Sequence, residues 1–101
     1  MASKLDTVSV VMPVFNGESV IEKSIKETDK KLGDLNVSYE IIVVDDGSRD
    51  TTRKIAQSVK SSNVKVVSYD VNQGKGFALF MGAINAVSDY VVFMDGDGDL
   101  D

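Results

Sequence analysis

Four short apolar runs, rich in Val and Ile, alternate along the chain with three longer stretches of helical spacing. The runs cover residues 8–14, 39–44, 64–69 and 90–94. Short runs of this kind are typical of strands that are buried on both faces. Strands joined by helices must be parallel, and right-handed crossovers place the helices on both faces of the sheet. The sequence therefore predicts one α/β domain, doubly wound around a mainly parallel four-stranded sheet.

The three segments between the predicted strands have apolar residues at the spacing of a helix. In chain order these residues are Ile21, Ile25, Thr28 and Leu32; Ile55, Ala56 and Val59; and Phe77, Phe80, Met81, Ile84 and Val87. Gly33 is expected to end the first helix, and Ser48 or Asp50 to cap the second.

Composition narrows the chemistry that is open to the chain. Its 101 residues, 43% of them hydrophobic, are ordinary for one globular domain, and they include neither Cys nor His. Disulfides, thiolate metal sites, His-based triads and His-ligated zinc are thereby excluded. No apolar run approaches the roughly 20 residues of a membrane span, and no secretory signal is visible, so we expect a cytoplasmic protein.

The net charge of −5 is concentrated at one end of the chain. The last thirteen residues contain five acids and no base, whereas the rest of the chain has eleven of each. An acidic chain is a poor partner for nucleic acid, because binding to phosphates requires a basic face.

Polar residues follow each predicted strand, at Asn16, at Asp45 and Asp46, at residues 72–75 and at residues 95–99. Doubly wound sheets bind their ligands beyond the carboxyl ends of the strands, near the point where the strand order reverses. The coincidence favours a functional site at this edge more than any single motif does.

Asp95, Asp97 and Asp99 would share one face if the chain stays extended after the fourth strand. Three such carboxylates repel one another unless a cation relieves the repulsion, and oxygen ligands suit Mg²⁺ or Mn²⁺. A solvated acidic tail is an equally good reading of these residues alone. An EF-hand loop is disfavoured, because Leu100 stands where that loop needs Gly and a strand precedes it.

Three further groups each allow two interpretations. Asp45 and Asp46 suit a ribose or base contact, or simply a turn and a helix cap. Lys75, between two glycines, suits a diphosphate, or only the start of a helix. Pro13 suggests a backbone bent away from sheet pairing, which would offer Phe15 to a planar ring; packing in the core is the commoner role of a single aromatic such as Phe15.

Taken together, four segments resemble family 2 of the glycosyltransferases, the inverting GT-A enzymes, and most closely the dolichyl- and polyprenyl-phosphate sugar synthases. The segments are residues 9–16 (SVVMPVFN), 40–48 (EIIVVDDGS), 72–76 (NQGKG) and 92–97 (VFMDGD). The resemblance implies the strand order third, second, first, fourth. It also implies that the chain is the N-terminal, nucleotide-binding half of a GT-A domain, truncated after the metal-binding aspartates.

The resemblance also implies residue roles. The nucleotide site would comprise Pro13, Phe15, Asn16, Asp45, Asp46, Lys75 and Asp95, and the site for Mg²⁺ or Mn²⁺ would comprise Asp95, Asp97 and Asp99. Pro13 and Phe15 would line the base pocket, and Asp46, with Asp45, would contact the base or ribose. Asp97 would be the main ligand of the DxD motif. Many relatives have an acid directly after the Asn, where this chain has Gly17 followed by Glu18.

The implied activity is metal-dependent binding of UDP- or GDP-hexose, as the donor half of an enzyme that transfers a hexose to a polyprenyl phosphate. No general base is identifiable, so we do not expect the chain alone to transfer sugar, and the full-length enzyme would act at a membrane. Two alternatives stay open: a sugar-nucleotidyltransferase-like domain, and a non-catalytic metal-binding or assembly domain. The apolar fourth strand also predicts a homo-oligomer formed beside it.

Overall fold

The computed structural model describes residues 7–96. The elements in chain order are β1 (Thr7–Val14), α1 (Ile21–Asp34), β2 (Ser38–Asp46), α2 (Thr52–Ser58), β3 (Val64–Tyr69), α3 (Lys75–Ile84) and β4 (Tyr90–Phe93). The four strands form one parallel sheet in the order β3-β2-β1-β4. The predicted doubly wound sheet and its strand order are therefore confirmed.

The two central strands carry the core. β1 pairs with β2 over eight positions, from Thr7 opposite Ser38 to Val14 opposite Asp45. Alternate side chains of the two strands enter two separate apolar clusters, because successive residues of a strand point to opposite faces. Met12 and Val43 pack with Ile21 and Ile25 of α1 on one face, whereas Val11 packs with Ala78 of α3 on the other.

Helix α3 faces the sheet with small residues and not with its aromatic stripe. Ala78 and Gly82 are buried, whereas Phe77, Phe80 and Ile84 are exposed. A Cβ on Gly82 would lie 2.1 Å from Cγ1 of Val11, so the absent side chain lets the helix approach β1 closely. The apolar spacing predicted the helix correctly, but Phe77, Phe80 and Ile84 lie outside the packed face, which Met81 and Leu79 join.

The end of α1 differs from the sequence prediction. Gly33 lies inside the helix, which continues to Asp34. Asn36 instead adopts the left-handed conformation, with φ of 57°. Asn tolerates this region better than most residues, and it therefore takes the role expected of Gly33.

Pro13 does not bend the backbone away from the sheet, so that expectation was wrong. β1 runs through Pro13, which pairs with Val44, and its carbonyl accepts a hydrogen bond from Gly96 N. The missing donor of Pro13 faces the chain that follows β4, so the ladder lacks one hydrogen bond there although it continues to Gly96.

A polar cluster ties the amino ends of the strands together. Glu40 accepts hydrogen bonds from Ser9 Oγ and Val87 N, and its other oxygen lies 3.1 Å from Lys65 Nζ. Burial alone would raise the pKa of Glu40, but these hydrogen bonds and the charge of Lys65 outweigh it and lower the pKa. The cluster holds the segment before β4 against β1 and β2.

None of the helices within residues 7–96 is both long enough and apolar enough to cross a membrane.

Replacing Gly82 with Ala should destabilise the chain by about 1–3 kcal/mol, because the new methyl group collides with Val11. Gly76→Ala, on the same helix, is the control: a Cβ there meets nothing within 4 Å, and Ala favours helix. Urea denaturation of both variants checks this. Equal stability of Gly82→Ala and the wild type would contradict the close packing of α3.

Replacing Glu40 with Gln should lower the unfolding free energy at pH 7 by about 1–3 kcal/mol, because charge-assisted hydrogen bonds are lost. The pKa of Glu40 is lower in the folded chain, so its contribution exists above the ordinary value of 4.5 and disappears as pH falls through the lowered pKa. The gap between wild type and Glu40→Gln should therefore close in acid. Denaturation of both at several pH values tests this, with the exposed Glu27→Gln as control.

Candidate functional site

The predicted polar residues within residues 7–96 meet at the carboxyl edge of the sheet. Asn16 follows β1, Asp45 and Asp46 end β2, Lys75 begins α3 after the β3–α3 loop, and Asp95 follows β4. The strand order reverses between β1 and β4, because β2 and β3 lie on one side of β1 and β4 on the other. Ligands of such sheets bind at this position.

Asn16 joins the loops that follow β1 and β2. Its Oδ1 accepts a hydrogen bond from Arg49 N at 2.9 Å, and its own N–H donates to Ser48 Oγ at 2.9 Å. Glu18 makes a parallel link, since Oε1 accepts from both N and Oγ1 of Thr51. Both side chains therefore hold the rim of the site. Phe15, next to Asn16, is half-buried.

Asp45 is buried and has one oxygen without a hydrogen-bond partner. Ser48 N donates to Oδ1 at 3.2 Å, whereas Oδ2 accepts no hydrogen bond. Arg53 Nε lies 3.5 Å from Oδ2, which is a charge contact without hydrogen-bond geometry, and Arg53 also pairs with the exposed Asp70. A buried acceptor of this kind is unusual. The carboxylate can therefore accept a further hydrogen bond from a donor that reaches it.

Asp46 is equally buried, but donors from its own chain surround its carboxylate. Oδ1 accepts from Tyr69 Oη at 2.6 Å and from Gln73 N at 3.0 Å. Oδ2 accepts from Asn72 Nδ2 at 2.8 Å and from Gly74 N at 3.0 Å. A carboxylate offers about four lone-pair sites, so Asp46 is saturated. We call this arrangement the Asp46 clamp.

Two further contacts hold the same loop. Gly47 has φ of 69°, and a Cβ there would lie 2.3 Å from Asn72 N, so only glycine fits. The pKa of Tyr69 lies well above its usual value. Burial raises it most, followed by the hydrogen bond to Asp46 and then by the charges of Asp46 and Asp45. The hydroxyl therefore remains a donor. Phe77 packs edge-on against the Tyr69 ring, with centroids 5.3 Å apart.

Lys75 and Asp95 face each other across the edge. The ladder continues past β4, since Met94 N donates to Val11 O and Gly96 N to Pro13 O. Gly96 is therefore turned toward Val14 and α1, and Asp95 toward α3. Lys75 Nζ lies 3.1 Å from Asp95 Oδ1, and both side chains are partly exposed.

Of the three predicted metal ligands, only Asp95 lies within residues 7–96; Asp97 and Asp99 lie outside the described residues. No group of three or more potential ligands occurs in that described part of the chain. Asp95 nevertheless suits Mg²⁺ or Mn²⁺, because it presents a half-exposed carboxylate at the carboxyl edge, and hard cations prefer oxygen.

Tyr69 and Arg53 contact the site aspartates although no sequence pattern predicts a site role for either. Tyr69 is the last residue of a predicted strand, and Arg53 belongs to none of the predicted motifs. Their roles depend on contacts across the sheet edge, for which periodicity and motif spacing carry no signal.

Comparison with known proteins places this geometry in a family. Residues 9–100 match the model of glycosyl transferase family 2. The chain is 36% identical over 99 residues to a dolichyl-phosphate beta-glucosyltransferase of Dictyostelium discoideum, covering 89% of this chain and 30% of that protein. The chain thus spans about a third or less of the length of such relatives.

Two of the solved structures that share the fold hold a metal and a nucleotide. One is glucosyl-3-phosphoglycerate synthase from Mycobacterium tuberculosis with Mn²⁺, UDP and phosphoglyceric acid, with a TM-score of 0.71 and 37% identity over 91% of this chain and 33% of that one. The other is the mannosyltransferase PcManGT from Pyrobaculum calidifontis with GDP-Man and Mn²⁺, with a TM-score of 0.72 and 25% identity over 89% of this chain and 27% of that one. The family match over nearly the whole chain, together with the GT-A fold of these neighbours, shows that the chain belongs to glycosyl transferase family 2.

Proposed function

We propose that the chain binds a nucleoside-diphosphate hexose, with UDP or GDP as the nucleotide, as the donor half of an inverting, metal-dependent glycosyltransferase. The observation that carries the proposal is the placement of Lys75 and Asp95. A cation and a carboxylate lie 3.1 Å apart at the amino end of α3, where the strand order reverses. A diphosphate with its metal needs both kinds of charge at one place.

The nucleoside is assigned to the β1 and β2 side of this edge. Pro13 is buried in β1, so the half-buried Phe15 that follows the strand would offer the apolar surface for the base. Asp45 Oδ2 offers the open acceptor for an N–H or hydroxyl of the base or ribose. Asp46 can contact the nucleoside only by sharing an oxygen that already accepts two hydrogen bonds.

The diphosphate is assigned to the α3 side. Gly74 precedes the helix without a capping side chain, so the first N–H groups of α3 remain available to an anion. Lys75 adds a positive charge at the same point. Asp95, Asp97 and Asp99 would hold Mg²⁺ or Mn²⁺, which when bound supplies positive charge to the diphosphate as the nucleotide leaves. Mn²⁺ in both neighbouring structures supports this assignment.

The acceptor class is a polyprenyl phosphate. The support is the named activity of the dolichyl-phosphate relative, with which the chain shares 36% of residues over the matched region. An acceptor of this type resides in a membrane, and the complete enzyme would work at its surface.

Replacing Asp97 with Ala or Asp95 with Asn should weaken Mn²⁺-dependent binding of UDP or GDP at least tenfold, or about 1.4 kcal/mol, because a metal ligand is lost. Titration calorimetry with and without Mn²⁺ measures this. Asp89→Asn, an exposed acid before β4 and away from the edge, is the control with the same loss of charge. If both site variants bind UDP or GDP with unchanged Mn²⁺-dependent affinity, the proposal that these aspartates hold the metal is wrong.

The edge of β4 also supports self-association. Tyr90, Val92 and Phe93 are exposed, and β4 pairs only with β1 among the described strands. We propose a homo-oligomer formed beside this strand. Sedimentation should show a dimer or larger species that Val92→Lys weakens, because a charge on an edge strand opposes pairing.

Added salt should strengthen the association, because it screens the acids that follow β4. Val71→Lys, at an exposed position away from β4, is the matched control. A wild-type monomer at high concentration, with and without salt, would contradict the oligomer.

A further inference from the structure

The Asp46 clamp joins one buried carboxylate to three consecutive residues of a loop. Asn72 donates through its side chain, and Gln73 and Gly74 donate through their backbone N–H groups. Asn72 Nδ2 also donates to the backbone oxygen of Asp46. The carboxylate therefore determines the backbone path of the loop and does not merely touch it.

The loop in turn determines where α3 begins. Gly74, with φ of 99°, is the residue before the helix, and Lys75 is its first residue. The first residue of this part of the loop is also held, because Gly47 packs directly on the backbone of Asn72. Displacement of the loop would move the N–H groups at the start of α3 and the Lys75 backbone together.

We propose that Asp46 is a positioning residue: it places the start of α3 and Lys75 where they face the diphosphate. This role rests on the proposed function and extends it, because it assigns to Asp46 an effect on the phosphates, through Lys75, that is separate from any contact with the nucleoside. Asp46 has no spare acceptor site, whereas Asp45 has one.

The clamp requires a carboxylate and not merely a polar side chain. An amide at this position would place an N–H group where one carboxylate oxygen now accepts two of the four hydrogen bonds. Oδ1 faces Tyr69 and Gln73, and Oδ2 faces Asn72 and Gly74, so either orientation of Asn leaves at least one backbone N–H, that of Gln73 or that of Gly74, without its acceptor. Asp46→Asn therefore tests the clamp with almost no change of volume.

The first measurement is hydrogen exchange at the amides of Gln73 and Gly74 in the 101-residue chain without nucleotide. Asp46→Asn should raise their exchange rates at least tenfold, because a charge-assisted hydrogen bond is lost. Tyr69→Phe removes one donor and leaves the carboxylate in place, so it should raise the exchange rates less. This variant tests the clamp if Asp46→Asn fails to fold. Asp70→Asn, at an exposed neighbouring acid, should change neither rate. Unchanged exchange in both clamp variants would overturn the proposal.

The second measurement separates phosphate positioning from nucleoside contact. With Mn²⁺ present, the affinities for UDP and UMP, or for GDP and GMP, are compared by calorimetry. Asp46→Asn should weaken diphosphate binding about tenfold, as expected for loss of one charge-assisted contact, and monophosphate binding much less. Equal losses for both ligands would show that Asp46 acts on the nucleoside, and would overturn the inference.

A double variant completes the test. If Asp46 acts through the start of α3 and Lys75, Asp46→Asn should weaken diphosphate binding less in the Lys75→Met background than in the wild type, because part of what Asp46 positions is already missing there. Fully additive losses would overturn the inference while leaving the proposed function standing. Failure of the wild-type chain to bind either diphosphate would instead overturn the proposed function.

Discussion

The parallel pairing of β1 with β2 is the constraint on which the rest of the structure depends. The two strands are buried on both faces along most of their eight paired positions, so helices must cover both sides of the sheet. Polar side chains cannot lie in the middle of such strands without partners, and they collect at the strand ends. Parallel direction brings all carboxyl ends to one edge. Core packing and the site are therefore consequences of the same pairing.

The alternation of a strand gives the two aspartates of β2 different surroundings. Asp45 shares with Val43 the face of α1 and α2, where it meets Ser48 and Arg53. Asp46 lies on the opposite face, where it meets Tyr69 and the β3–α3 loop. Both carboxylates are buried to the same extent, yet one is saturated and the other keeps a free oxygen. Sequence adjacency therefore does not imply a shared role.

Much of the fold follows from sequence periodicity, since continuous β-branched runs indicate strands buried on both faces. The strand order came from the resemblance and agrees with the structure. The wrong predictions concern features that depend on side-chain packing and on local backbone geometry. The stripe of Phe77, Phe80 and Ile84 predicted a helix, but the contact with Val11 at Gly82 selects which side of that helix meets the sheet. Motif spacing likewise located Asp46 and could not reveal its four donors, because they come from residues 23 to 28 positions later in the chain.

The contacts at the carboxyl edge of the sheet differ greatly in the free energy needed to break them. The ion pair between Lys75 and Asp95 is partly exposed, and pairs of this kind contribute only about 0–1 kcal/mol to stability. A ligand that draws either partner away therefore meets little resistance. The hydrogen bonds to Asp46 end on a buried carboxylate, and breaking one leaves an oxygen without that donor away from water, at a cost of about 1–3 kcal/mol. A rigid loop thus carries a lysine whose own contact is weak, which keeps the charge in place without committing it to Asp95.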